Sequence, residues 1–250
     1  MTKAILLAAG RGERMRPLTD TTPKPLLKVH DKSLIEWHLE ALARAGVRDV
    51  VINTAWLEES IVQQLGDGSR YGLRIAYSLE GRDHGGALET AGGLKKALPL
   101  LAAPRPDRAF WYVAADVYAP RFEFAAEHVE RFERSDLIGQ LWMVPNPPQH
   151  AQGDFGIASG LAVAGDGERF TWSGIALFHP EFVTELMADL APGTKAKLRP
   201  YLDSAIAQRR LGATMLGAPW TDVGTPQRLQ ELNLKTAVDR FPPHENLREH

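Results

Sequence analysis

Ala4-Ile-Leu-Leu-Ala-Ala-Gly-Arg-Gly-Glu-Arg-Met-Arg-Pro-Leu-Thr19 is the stretch that decides the fold. Residues 4–9 are an unbroken apolar run, as expected of a strand buried on both faces of a parallel sheet. The run ends in Gly10 and Gly12. This is not a phosphate-binding loop of the Gly-Lys-Ser/Thr type, which needs that tripeptide at a fixed spacing. Nor is it the dinucleotide fingerprint, whose third glycine would fall at Met15. Two glycines after a buried strand still let backbone N–H groups approach an anion closely. Between residues 10 and 28, Arg11, Arg14, Arg16, Lys24 and Lys28 face only Glu13 and Asp20, giving +3 in a chain of net charge −2. A cationic loop at the carboxyl end of a first strand suggests phosphate binding. The competing reading is a solvated turn with incidental charge. Thr22-Pro-Lys-Pro-Leu26 weighs against it, because a lysine between two prolines has a stiffened backbone that suits a placed side chain.

Outward from this strand, apolar runs alternate with helical patterns. Ser33-Leu-Ile-Glu36 is a capping box: the serine caps a free N–H, and Glu36 reaches back to the Ser33 backbone. The helix it opens carries Leu34, Trp37, Leu39 and Leu42 near one face and ends at Gly46. Strands are expected at 49–54, 74–80, 109–116 and 137–144. Helices are expected at 57–65, at 89–98 (stopped by Pro99) and at 122–133. The second half is less regular, with strands at 155–163, 170–178 and 213–218 and helices at 181–190 and 198–209. Thr225-Pro226 starts a last helix with proline at its first position. The reading is an α/β fold, a three-layer α/β/α sandwich with a mostly parallel central sheet. One domain spans 1–240, and 241–250 is a polar, proline-broken tail.

Composition narrows the function classes. With 44% hydrophobic and 24% charged residues over 250 positions, a disordered or low-complexity chain is excluded. A net charge of −2 creates no global field toward nucleic acid or an anionic membrane. The absence of cysteine excludes disulfides, thiolate catalysis and thiolate-bound metals, and fits a cytoplasmic location. No apolar run approaches the ~18 residues of a membrane span. Residues 1–7 lack the layout of a signal peptide. The expected partners are small molecules, with no nucleic acid and no membrane; the sequence leaves the oligomeric state open.

Leu7-Ala-Ala-Gly-x-Gly-x-Arg-Met-x-Pro-Leu-Thr19 followed by Pro23-Lys-Pro-Leu26 resembles the signature of the sugar-1-phosphate nucleotidylyltransferases. Three later segments resemble further elements of that family: Leu88-Glu-Thr-Ala-Gly-Gly93, the strand ending at Asp116, and Trp220-Thr-Asp-Val-Gly-Thr-Pro226. The resemblance runs from about residue 3 to 238. His150-x-x-Gly-Asp-Phe155 and Phe170-Thr-Trp-Ser-Gly-Ile175 look like the short members that join UTP to N-acetylmuramate 1-phosphate.

The resemblance implies a Mg²⁺-dependent displacement at the α-phosphorus of a nucleoside triphosphate by a sugar 1-phosphate, giving a nucleotide sugar and pyrophosphate. It implies Arg14 and Lys24 as catalytic residues. Arg14 would hold the triphosphate, and Lys24 would bridge the α-phosphate and the incoming phosphate. Asp116 and Asp222 would be the metal ligands. Leu7, Ala8, Ala9, Gly10, Gly12, Glu80, Thr90 and Gly92 would bind the nucleotide, and Glu89, Asp154, Gly156 and Gly174 the sugar. Asp222 and Asp154 each read also as a turn residue. Three departures stand out. Ala114-Ala115 replaces the family's Asn-Gly before the metal aspartate. Residues 157–173 hold no lysine where longer relatives have a second one, Arg169 being the only cation there. Residues 81–87 look inserted, with His84 as a loop histidine. The alternatives are a mannose- or glucose-1-phosphate nucleotidylyltransferase using GTP, UTP or dTTP, and a non-catalytic nucleotide-sugar sensor. A sensor is expected to lack Lys24 or a metal aspartate, and the chain has both.

Overall fold

A computed structural model describes residues 2–102 and 108–234, so the tail expected at 241–250 lies outside the described residues. The first half contains β1 (Lys3–Leu7), β2 (Lys28–Val29), β3 (Lys32–Ser33), α1 (Leu34–Arg44), β4 (Asp49–Thr54), α2 (Glu58–Leu65), β5 (Arg74–Leu79), α3 (Glu80–His84), α4 (Glu89–Ala102), β6 (Phe110–Ala114) and β7 (Val117–Tyr118). The second contains α5 (Ala126–Glu133), β8 (Gly139–Val144), β9 (Gly156–Ala158), β10 (Leu161–Val163), β11 (Thr171–Phe178), α6 (Pro180–Thr184), α7 (Arg199–Ala207), β12 (Leu211–Met215), β13 (Thr221–Asp222) and α8 (Pro226–Leu234).

Nine strands form the central sheet in the order β5-β4-β1-β6-β11-β8-β12-β10-β9. The first four are mutually parallel. β11 is antiparallel to both β6 and β8, β12 runs parallel to β8, and β10 is antiparallel to β12 and β9. Only β11 and β10 therefore run against the rest, but half of the neighbouring pairs are antiparallel, and the sheet is mixed. The period-two alternation of the strands divides the core into two layers. Ala4, Leu6, Val50, Ile52 and Trp111 pack with Ile35, Leu39 and Leu42 of α1, Ile61 of α2 and Phe132 of α5. Ile5, Val51, Phe110 and Tyr112 pack with Leu94 of α4, Phe182 of α6 and Leu202 of α7. Leu39 and Leu42 are fully buried, each contributing about 1.5–3 kcal/mol. The three-layer α/β/α arrangement read from the sequence is present.

The local signals hold where they are self-contained. The Glu36 carboxylate accepts from the Ser33 N–H at 3.1 Å, as a capping box requires, and the Arg228 N–H donates to the Thr225 hydroxyl at 3.3 Å at the start of α8. Four expectations need correction. α4 continues past Pro99 to Ala102, because a proline near the end of a helix removes only one late hydrogen bond. The single strand expected at 155–163 is a hairpin, turned by Ser159 (φ 51°) and Gly160 (φ 78°), both left-handed as a tight hairpin needs. The helix expected at 122–133 starts at Ala126, and that at 181–190 spans only Pro180–Thr184. No helix among the described residues is long and apolar enough to cross a membrane.

Candidate active site

The carboxyl ends of β1, β4 and β6 open into a cleft of about 610 Å³. At its rim the chain leaves β1 through Gly10 and bends at Gly12, whose φ of 67° and close approach to Thr19 (3.0 Å from a would-be Cβ) and Lys24 (3.3 Å) both exclude a side chain. The loop is tied from outside. Arg11 donates to the Thr19 carbonyl (2.7 Å) and to Asp20 (2.9 Å), and its guanidinium lies 3.7 Å over the Trp56 ring. Trp56 Nε1 also donates to the Thr19 carbonyl, at 2.9 Å. Arg16 pairs with Asp20 at 2.9 Å. Two of the three loop arginines are thus occupied in holding the loop. Arg14 is exposed on the cleft wall with no partner among the described residues.

Lys24 is only 7% exposed, and its Nζ donates to Asp116 Oδ2 at 2.6 Å. Asp116 follows β6 and precedes β7, which pairs antiparallel with β13 and sets Asp222 opposite Val117. The Val223 N–H donates to the Asp116 carbonyl at 3.3 Å. The two aspartates, 106 positions apart in the chain, are thereby neighbours across a two-stranded ribbon. Asp222 Oδ2 accepts from Arg228 at 2.6 Å. Beneath the ribbon, buried His38 donates from Nε2 to the Val117 carbonyl at 2.8 Å. Burial holds the His38 pKa down to about 4, against the pull of the Val117 carbonyl and Asp116.

Two hard carboxylates side by side, each now balanced by a protein cation, suit a divalent ion that takes its remaining oxygens from phosphate and water. No cluster of three or more His, Asp or Glu side chains capable of holding a metal occurs among the described residues, so the protein alone does not complete a coordination shell.

The opposite wall is built on a buried relay. The Ala8 N–H donates to Asn53 Oδ1 (2.9 Å), Asn53 Nδ2 donates to Glu80 Oε1 (2.7 Å), and the Leu88 N–H donates to Glu80 Oε2 (2.7 Å). Burial pushes the Glu80 carboxyl upward, and the Leu88 and Asn53 donors oppose that. Glu80 is fully buried and does not reach the cleft; it braces the wall on which Ala8, Asn53 and Thr90 stand. Glu89 opens α4 from a left-handed conformation (φ 60°), uncommon outside glycine. Gly92 also lies behind the wall. A Cβ there would collide with the Thr194 carbonyl, so glycine lets the 194–196 segment dock on α4, with the Ala196 N–H donating to the Leu88 carbonyl at 3.0 Å.

Leu7, Ala8, Ala9, Gly10, Gly12, Arg14, Lys24, Glu89, Thr90 and Asp116, all singled out from the sequence, line the one cleft. Asp222 stands just outside it, next to Gly224, which lines it. Asp154, Gly156 and Gly174 do not line it. Asp154 Oδ2 accepts from the Trp172 N–H at 2.8 Å, and its Oδ1 lies 3.2 Å from His150. Gly156 lies within the hairpin, under Val163. Gly174 sits at an irregularity in β11, where a Cβ would meet Ala114 at 2.8 Å. The segment at 81–87 is mostly helix α3, and His84 belongs to it, its ring 2.7 Å from a would-be Cβ on Gly193.

Asn53, Tyr112 and Lys195 were missed by the sequence reading. Asn53 had a signal, a polar residue closing an apolar strand. Lys195 had none, because its place depends on the docking of 194–196 against α4.

A Gly-turned cationic loop, a buried lysine and a strand-end aspartate thus line one cleft, with a second aspartate at its edge. Residues 3–238 match the nucleotidyl transferase family, and the chain belongs to it, as an enzyme of the sugar-1-phosphate class. It is 44% identical over 232 residues to N-acetylmuramate alpha-1-phosphate uridylyltransferase of Neisseria meningitidis serogroup B, covering 92% of this chain and 96% of that one. It is 31% identical to a mannose-1-phosphate guanyltransferase of Yarrowia lipolytica over 90% of this chain and 61% of the other. A crystal structure from Bacillus anthracis, of a protein assigned as a glucose-1-phosphate thymidylyltransferase, superposes with a TM-score of 0.78 at 20% identity. It covers 93% of this chain and 94% of that one, and shows the shared fold.

Proposed function

We propose that the chain transfers the uridylyl group of UTP to N-acetylmuramate 1-phosphate, as a cytoplasmic enzyme of cell-wall sugar recycling. The observation that carries this reading is the 44% identity to the Neisseria relative over nearly the whole of both chains, against 31% for the mannose-1-phosphate guanyltransferase.

An oxygen of the sugar phosphate attacks the α-phosphorus, the bond to the β-phosphate oxygen breaks, and pyrophosphate leaves. Phosphates repel, so the site must neutralise charge and align the reacting oxygens. Arg14, unpartnered on the wall, forms paired N–H bonds to the leaving pyrophosphate as its charge grows. Lys24 exchanges its Asp116 partner for oxygens of the α-phosphate and the attacking phosphate. Asp116 and Asp222 would hold Mg²⁺, which when bound would supply Lewis-acid stabilisation of phosphate charge. The backbone from Leu7 to Gly12 and the Thr90 side of the cleft receive the nucleotide. Lys195 supplies, from another part of the chain, the second cation that residues 157–173 lack. Asp154 serves the sugar from outside the cleft by fixing the Trp172 backbone. Glu89 contributes on the cleft wall.

Pyrophosphate release assayed over UTP, GTP and dTTP against N-acetylmuramate, mannose and glucose 1-phosphates tests the assignment. The expected outcome is the highest kcat/KM for UTP with N-acetylmuramate 1-phosphate. Higher values for GTP with mannose 1-phosphate, or dTTP with glucose 1-phosphate, overturn it.

A further inference from the structure

Tyr112 lies on β6 two residues before Ala114, and both line the cleft. The Tyr112 side chain is almost wholly enclosed, at 4% exposure. Its ring stacks on Trp172 of β11 (centroids 5.3 Å apart, 28° between planes) and meets the edge of Phe178 at 5.5 Å. The ring is thus clamped and its position fixed. Its hydroxyl forms no hydrogen bond with any described residue, yet it is not sealed off from the cleft. Buried tyrosine hydroxyls normally find a partner, because an unmet polar group is costly. A polar group held rigidly at a cleft wall without a protein partner is poised for a ligand.

The surroundings say which part of the ligand. Leu7 of β1, Ala8 just after it, Asn53 of β4 and Thr90 of α4 stand away from β11. Tyr112 leans the other way, onto Trp172, whose backbone is held by Asp154. Ala114 is short and packs closely on Gly174, whose missing side chain makes room for it, and neither side chain brings a polar group to this side of the cleft. The polar group that this strand face offers the cleft is therefore the hydroxyl of Tyr112. Burial and the nearby Asp116 push its pKa up, so the hydroxyl stays protonated and can donate.

We propose that Tyr112 is a substrate-binding residue whose hydroxyl donates a hydrogen bond to a hydroxyl or amide oxygen of the sugar 1-phosphate. This rests on the sugar-1-phosphate reading above and adds a specificity contact to it. Tyr112→Phe removes only the oxygen and keeps the stack on Trp172.

Calorimetric titrations of N-acetylmuramate 1-phosphate, glucose 1-phosphate and Mg²⁺–UTP into the wild type and Tyr112→Phe test it, alongside steady-state kinetics and thermal melting. The expected result is roughly a tenfold loss of affinity for the sugar 1-phosphate that the wild type binds, with UTP affinity and melting temperature unchanged. Unchanged sugar-phosphate affinity, or a loss confined to UTP, overturns the role of Tyr112 and leaves the function reading intact. A wild type that binds neither sugar phosphate overturns that reading and the Tyr112 assignment with it.

Discussion

The side of the four parallel strands β5-β4-β1-β6 and the side of the five mixed strands from β11 to β9 hold opposite kinds of carboxylate, and only the first borders the cleft. On the parallel side, Asp116 is bound by the buried side chain of Lys24, a cation that also borders the cleft. Its neighbour Asp222 faces Arg228 in the same way. On the mixed side, Asp154 accepts from the Trp172 backbone N–H and lies against His150, and its own carbonyl accepts from Arg169. The first pair is held by side chains that have alternatives; the other carboxylate is tied into its own loop. Parallel strand ends gather chain segments at one edge and leave their polar groups facing a crevice. Hairpins and long antiparallel strands consume those groups internally. The cleft therefore opens at the parallel edge, and the proposed chemistry is placed there, with the mixed strands on its flank.

The sharpest way to break this contrast is to remove the exchangeable carboxylates. Asp116→Ala or Asp222→Ala is expected to lower kcat by at least ~10², the scale of losing a strong electrostatic stabiliser. Near-normal turnover in either folded variant would place the reaction elsewhere.

A smaller effect, on stability rather than turnover at neutral pH, concerns the support beneath the carboxylates. His38 has a folded pKa of about 4 against 6.5 for a free histidine. Between those values the unfolded chain binds the proton and the folded chain does not, so stability falls as pH drops from 6.5 toward 4. The full loss is roughly 3 kcal/mol. His38→Gln keeps a donor for the Val117 carbonyl and removes the titration. Denaturant unfolding at pH 7 and pH 4 should show the variant losing less stability than the wild type by about that amount. Parallel losses would mean that His38 is protonated in the folded state.

The two regions also differ in what their sequence discloses. The apolar strand before Gly10, the Ser33 capping box and the Thr225-Pro226 helix start are written in a few adjacent residues, and each is present. The cleft residues on that side were legible for the same reason. Lys195 was not, because it reaches the cleft only through the contact of Ala196 with Leu88. Glu80 was read as a nucleotide contact, although the donors of Asn53 and Leu88 take both its oxygens beneath the wall. Pairing across the mixed strands depends on which distant strand lies alongside, and a period-two pattern carries no such information. The irregularity at Gly174 and the hairpin at Ser159-Gly160 lie where that information was missing.

Lys24 is where the loop and the strand-end carboxylate meet, and its kinetics test most directly the claim that the two form one centre. A charge that bridges both phosphates matters more in the transition state than in the ground state. Steady-state analysis of Lys24→Ala, with Mg²⁺, UTP and N-acetylmuramate 1-phosphate each varied, should show kcat falling by at least ~10-fold together with weakened substrate binding. A rise in KM alone, with kcat unchanged, would make Lys24 a binding residue and contradict the account.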